Sequence, residues 1–331
     1  MDRSKQRIPS LDGLRAVAIL MVILRHALGR RQLPHALFPL ARYGGFGVSV
    51  FFVISGFLIT ALLLKEHEKT GTISLRKFYA RRAYRILPAS SVVILLIAVF
   101  WHDTVGPRNL LCSLFYVQDF NPQASWPLAH MWSLAVEEQF YFLWPFLLLT
   151  FFRHRGKVAM AAVVIAPLFR ATSGFMGFHH AEARWFPSAM DGLAMGCLLA
   201  IYKDRIASWS VTTDRLFLPV LAGTLLLANF SYPPGVQPLL VLSLENFGIA
   251  FCVDNCIRHR YRVLNCTPLV WVSTLSYSIY LIQMLFFRSP PTHVVEKLPI
   301  NLFCIVAAAV ACHYLVERPF LMLRDSRRRK L

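Results

Sequence analysis

Apolar residues run along this chain in blocks of about twenty, separated by short basic or mixed segments. Crossing ~30 Å of hydrocarbon as a helix takes ~20 mostly apolar residues. On that measure we read ten spans, at 12–28, 46–64, 86–101, 132–152, 157–171, 188–202, 215–230, 238–256, 268–287 and 301–320. A shorter apolar stretch, PRNLLCSLFYVQ at 107–118, suits an interfacial or re-entrant segment. The first apolar run is followed by Arg25 and His26 rather than by a small-residue cleavage site, so it reads as a retained span. The pattern predicts an all-α fold: a polytopic integral membrane bundle of about ten transmembrane helices. No repeat, low-complexity linker or long hydrophilic stretch interrupts it, so residues 1–331 read as a single membrane domain without an appended soluble one.

Composition agrees. Of 331 residues 56% are hydrophobic and 16% charged, with a formal net charge of +18. Soluble domains carry about 25% charged residues. The apolar and aromatic content excludes disorder. A soluble nucleic-acid binder would set its Lys and Arg in a polar background, which is absent, so no nucleic-acid partner is expected. The charge follows topology. With the N-terminus inside, the inner segments hold 25 of the 35 Lys and Arg and the outer segments hold 8, as the positive-inside rule requires. Both termini are therefore expected to be cytoplasmic. The closing Arg327-Arg328-Arg329-Lys330 reads as an anchor to anionic membrane lipid. The seven cysteines form no CxxC pair and no zinc spacing, so they read as small apolar residues and no metal is expected.

Ionisable residues inside spans are costly and mark function. Arg15 and His26 are eleven residues apart, which brings them to one helix face ~16 Å apart along the axis. A lone membrane histidine is often a hydrogen-bonded packing residue. An imidazole near neutral pH is also a general base. Ser55-Gly56 in the second span suits a bend, a hydroxyl offered to a ligand, or packing alone. The inner loop 72–88 is basic and aromatic, with Arg82 and Arg85 on one helical side. It suits either anionic lipid or the phosphates of a cytoplasmic ligand. Glu137 and Glu138 point about 100° apart in the fourth span, at a depth that would let a carboxylate orient His26. Ser276, Tyr280 and Gln283 form a polar stripe beside Tyr277. Asp191 opens the sixth span. Glu317 and Arg318 suggest an ion pair or a helix-end cap.

In this order the segments IPSLDGLRAVAILMVILRHA, GGFGVSVFFVISGFLI, FYARRAYRILP, MWSLAVEEQFYFLWP, LSYSIYLIQ and YLVERPF resemble the acyltransferase family 3 membrane proteins. The resemblance runs from residue 8 to about 323. It implies transfer of an acyl group, most often acetyl, from acetyl-CoA or another acyl-CoA as donor co-substrate. The acceptor would be a hydroxyl of a cell-surface glycan, a lipid-linked saccharide or a related molecule, modified by a multi-pass protein of the bacterial inner membrane. It implies His26 as catalytic base or acyl carrier with Arg15 supporting it, Arg82 and Arg85 as donor-phosphate ligands, and Trp132, Ser133 and Glu137 as signature residues. Glu137 is expected in the catalytic set, with Ser55, Trp132, Ser133, Ser276 and Tyr280 in support. One position departs: Gln283 stands where the family pattern has His, and it cannot titrate. Any second transfer outside the membrane would call for a partner protein. The depths create a tension, because His26 lies toward the outer face while the donor is cytoplasmic. A tunnel, or donor and acceptor meeting from opposite faces, would resolve it. A transporter or flippase without covalent chemistry is the alternative, since intramembrane Arg, His and Glu also mark transport pathways.

Overall fold

The computed structural model describes residues 8, 10–29, 40, 43–176, 184–208, 210–229, 240–288, 291 and 293–328. Among them the chain is helical. The long helices are α1 (Leu11–Gly29), α2 (Tyr43–Thr70) and α3 (Leu75–Phe100). After a short α4 (Pro107–Leu114) come α5 (Met131–Thr150), α6 (Arg155–Phe175) and α7 (Phe186–Ala207). The series closes with α8 (Ser210–Asn229), α9 (Leu242–Arg258), α10 (Thr267–Ile282) and α11 (Ile300–Cys312). A π turn over His313–Glu317 carries α11 into α12 (Arg318–Arg328). Each of the ten apolar blocks overlaps helix, the last one α11, the π turn and α12 together.

Among the described residues five helices are long and apolar enough to cross a membrane: Tyr43–Thr70, Leu75–Phe100, Phe152–Ser173, Thr267–Leu285 and Ile300–Ser326. The other long helices are more polar, as α1 is at Arg15 and Arg25 and α5 at Glu137 and Glu138, or shorter, as α9 is at 17 residues. Large apolar side chains cover the outside. Phe303 is 74% exposed and Phe142 73%, an apolar surface that suits lipid rather than water.

Local sequence explains where the helices begin and end. Gly71 takes φ +73° after α2, and its N–H returns to the His67 carbonyl at 2.8 Å. Three residues later Ser74 caps α3 by accepting the Lys77 N–H at 3.4 Å. The expected loop 72–88 is therefore mostly helix. Its basic residues ride on the first turns of α3, which continues through Pro88. The stretch 107–118 forms α4 and leads into a 3₁₀ turn at Gln118–Phe120. Asn109 Oδ1 ties this segment together, accepting from Gln118, Asn121 and the Ser125 N–H.

Helix α2 is the central staff. It packs on α1, α7, α9 and α5. Its crossing with α7 depends on two glycines. A Cβ on Gly56 would lie 1.9 Å from the Leu193 carbonyl oxygen, and one on Gly196 would lie 2.1 Å from that of Val53. Small residues thus bring the two backbones together. Of the readings for Ser55-Gly56, Gly56 supplies the packing and Ser55 the polar contact described below. A buried ion pair ties α6 to α7: Arg170 Nη2 meets Asp191 Oδ2 at 2.9 Å, with side chains 1% and 0% exposed. Arg170, one of the eight basic residues counted in the outer segments, lies inside the bundle. Glu317 does not pair with Arg318. It takes the Ser278 hydroxyl and His313 Nδ1 (3.1 Å), fastening the π turn to α10.

Candidate active site

A cavity of about 300 Å³ lies between α1, α2, α3, α5 and α10. Eight of the expected site residues line it: Arg15, Ser55, Arg82, Arg85, Ser133, Glu137, Ser276 and Tyr280. They come from five helices because each presents one polar face inward. On α5 the face repeats at i, i+4: Tyr141 donates to Glu137 Oε1 at 2.9 Å, and the Ser55 hydroxyl bonds the same carboxylate oxygen from α2. The Arg82 guanidinium sits 4.1 Å above the Tyr141 ring, a cation–π contact that fixes its position in a low-dielectric site.

The α10 stripe divides its work by position. Ser276 accepts from Arg15 Nη2 at 3.4 Å. Tyr280 meets Ser133 Oγ at 2.7 Å and also bonds the His130 carbonyl. Gln283, one turn further, places Oε1 3.1 Å from His26 Nδ1. Gln283 Nε2 donates to the Tyr280 carbonyl at 3.3 Å, which turns the amide oxygen toward the ring. An oxygen at Nδ1 favours the tautomer protonated there.

This arrangement differs from one expected pairing: His26 meets Gln283 rather than Glu137, whose carboxylate is taken by Ser55 and Tyr141. Arg15 sits ~16 Å along α1 from His26, as their spacing on one helix face requires, within the cationic lining. The residue that departs from the family pattern is thus the one holding the histidine.

Arg81 and Arg324 also line the cavity. Sequence reading passed over both, Arg81 because it lies outside the RxxR spacing and Arg324 because it sits in the basic C-terminal region. Arg81 is paired with Glu66 at 3.0 Å. Arg324 is likewise paired with Asp325 at 2.8 Å, which leaves Arg15, Arg82 and Arg85 facing the one lining carboxylate, Glu137, a field that attracts anions. The cavity therefore favours an anionic ligand. Ser133 turns into this chamber, whereas Trp132 turns into a second one, where its ring stands edge-on to Phe52 at 6.2 Å.

These features define a helical, multi-pass membrane protein with a cationic chamber among its helices. The chain matches the acyltransferase domain model over residues 8–318 and belongs to acyltransferase family 3. It is 30% identical to the peptidoglycan O-acetyltransferase OatA of Listeria monocytogenes serovar 1/2a (strain EGD-e), over 84% of this chain and 49% of that protein. It is 30% identical to the O-acetyltransferase OatA of Staphylococcus aureus (strain NCTC 8325), over 84% and 50%. A further S. aureus (strain COL) protein carrying an O-acetyltransferase assignment is 41% identical, over 95% and 57%. The chain thus spans about half the length of the curated relatives it matches. No solved structure matches it significantly.

Proposed function

We propose that this chain is an O-acetyltransferase of the bacterial inner membrane, carrying acetyl from acetyl-CoA to a hydroxyl of a cell-envelope glycan. The observation that carries the reading is the joining of an arginine-lined chamber to an oriented histidine through one stripe of α10. The donor phosphates sit on Arg82 and Arg85 at the cytoplasmic mouth. The thioester reaches past Glu137 toward Tyr280, and His26 lies one helical turn beyond. His26 Nε2 takes the acceptor hydroxyl proton as the oxygen attacks the thioester carbonyl. The C–S bond breaks, and the thiolate of coenzyme A leaves with the proton returned by the imidazolium. Donor and acceptor meet from opposite faces, across ten spans with both termini cytoplasmic.

Membranes holding His26→Ala, incubated with labelled acetyl-CoA, are expected to retain the inserted protein and lose all transfer to glycan. Normal acetylation by that variant would sink the mechanism. Label trapped on His26 before acceptor is added would make the histidine a carrier rather than a base. Glycan movement without any incorporation of label would establish a transporter.

A further inference from the structure

The second chamber has a volume of about 200 Å³ and lies toward the Arg25 end of α1, about ten residues or ~15 Å from the level of Arg15. Arg25, Phe46, Trp132, Glu245 and Asn246 are among its lining residues. Val48 and Phe52 line both chambers, so the two adjoin at α2.

Its polar groups are incompletely used. Glu245 is 7% exposed, and among the described residues its carboxylate has no hydrogen-bond partner. Asn246, 3% exposed, donates through Nδ2 to Asp191 Oδ1 at 3.1 Å, while its Oδ1 is buried without a partner. A buried acceptor without a donor is costly unless a ligand or water supplies one. Arg170 compensates Asp191, Arg25 and Glu245 both line the chamber, and the Arg184 guanidinium stands 5.9 Å from the Trp132 ring. The fitting ligand is rich in hydroxyls. It brings hydroxyl donors for Glu245 and Asn246, lone pairs for Arg25, and an apolar face for Trp132. The space equals roughly six or seven waters at ~30 Å³ each, enough for one sugar ring.

We propose that this chamber is the acceptor subsite and binds a single pyranose ring of the glycan, with Glu245 and Asn246 reading its hydroxyls and Trp132 stacking on its C–H face. The assignment rests on the acetyl-transfer reading above. It places the sugar ring beside the donor chamber, with Val48 and Phe52 lining both.

The test uses the full chain in lipid nanodiscs. Binding of a methyl glucopyranoside, of tetramethylammonium and of labelled acetyl-CoA is measured for the native sequence, Glu245→Gln and Trp132→Ala. Glu245→Gln keeps the shape of the side chain, and size-exclusion profiles check folding. The pyranoside is expected to bind and to weaken about tenfold or more in each variant, the scale for a lost charge-assisted hydrogen bond or an aromatic stack. Acetyl-CoA affinity stays constant, and in turnover the acceptor KM rises while the donor KM holds. Pyranoside binding that ignores both substitutions, absence of pyranoside binding, or preference for tetramethylammonium overturns the subsite. Pyranoside binding that follows Glu245 and Trp132 in a protein with no affinity for acetyl-CoA upholds the sugar site and overturns the transfer reading alone.

Discussion

Removing the Asp191 carboxylate should be among the most damaging single changes outside the chambers' reacting groups. Its two oxygens accept from Arg170 (2.9 Å), Ser243 (2.7 Å), Asn246 (3.1 Å) and the Gly192 N–H (3.0 Å), joining α6, α7 and α9. Were these only neutral interhelical bonds, at ~0.6 kcal/mol each inside a membrane protein, Asp191→Ala would cost about 2 kcal/mol. The guanidinium decides otherwise. With 1% of its side chain exposed, Arg170 would remain charged and unpaired in an apolar bundle, and breaking such a pair costs about 3–5 kcal/mol. Apolar replacement of both partners avoids that penalty. The Arg170→Met/Asp191→Leu double variant should therefore be more stable than either single variant. Unfolding by sodium dodecyl sulfate in mixed micelles, followed by circular dichroism, measures all four proteins of the cycle. A single-variant loss below about 1 kcal/mol, or additive losses in the double variant, would refute the reasoning.

Gln283→Leu leaves His26 Nδ1 without its acceptor. It should lower kcat by about 10- to 100-fold with donor KM unchanged, and an unaltered kcat would show that Gln283 does not orient the ring. Gly56→Ala must open the α2–α7 crossing by about 1.5 Å to reach ordinary contact. Because α2 carries Ser55 and Phe52, activity should fall by about 100-fold, read from acetyl incorporation per inserted protein. Arg82→Gln and Arg85→Gln should each raise the donor KM about tenfold, and the native donor KM should rise with salt. A salt-independent donor KM would contradict phosphate binding at the chamber mouth.

Much of the architecture was legible because hydrophobic periodicity is a local property. The apolar blocks all overlap helix, and the spacing of Ser276, Tyr280 and Gln283 put them on one face. The loop expected at 72–88 failed for a local reason too: the Ser74 cap starts α3 early, and helix formation tolerates Arg82 and Arg85 as readily as apolar residues.

The site residues were legible as types, but their pairings were not. Depth alone matched His26 with Glu137, because both lie in the same half of their helices. Rotation about each helix axis decides contact, and it is set by how neighbouring helices pack. The Gly56–Gly196 crossing and the Arg170–Asp191 pair help fix those rotations, and each joins residues more than twenty positions apart or on separate helices. The amino-acid order by itself determined the helices, the membrane character, the family and the inventory of titratable groups. Tertiary structure alone decided that Gln283 holds His26, that Arg15 belongs with Arg82 and Arg85, and that Trp132 and Ser133, adjacent in the chain, serve different chambers. The reason is geometric: consecutive helical residues diverge by about 100°, and only the packed neighbours determine what each one meets.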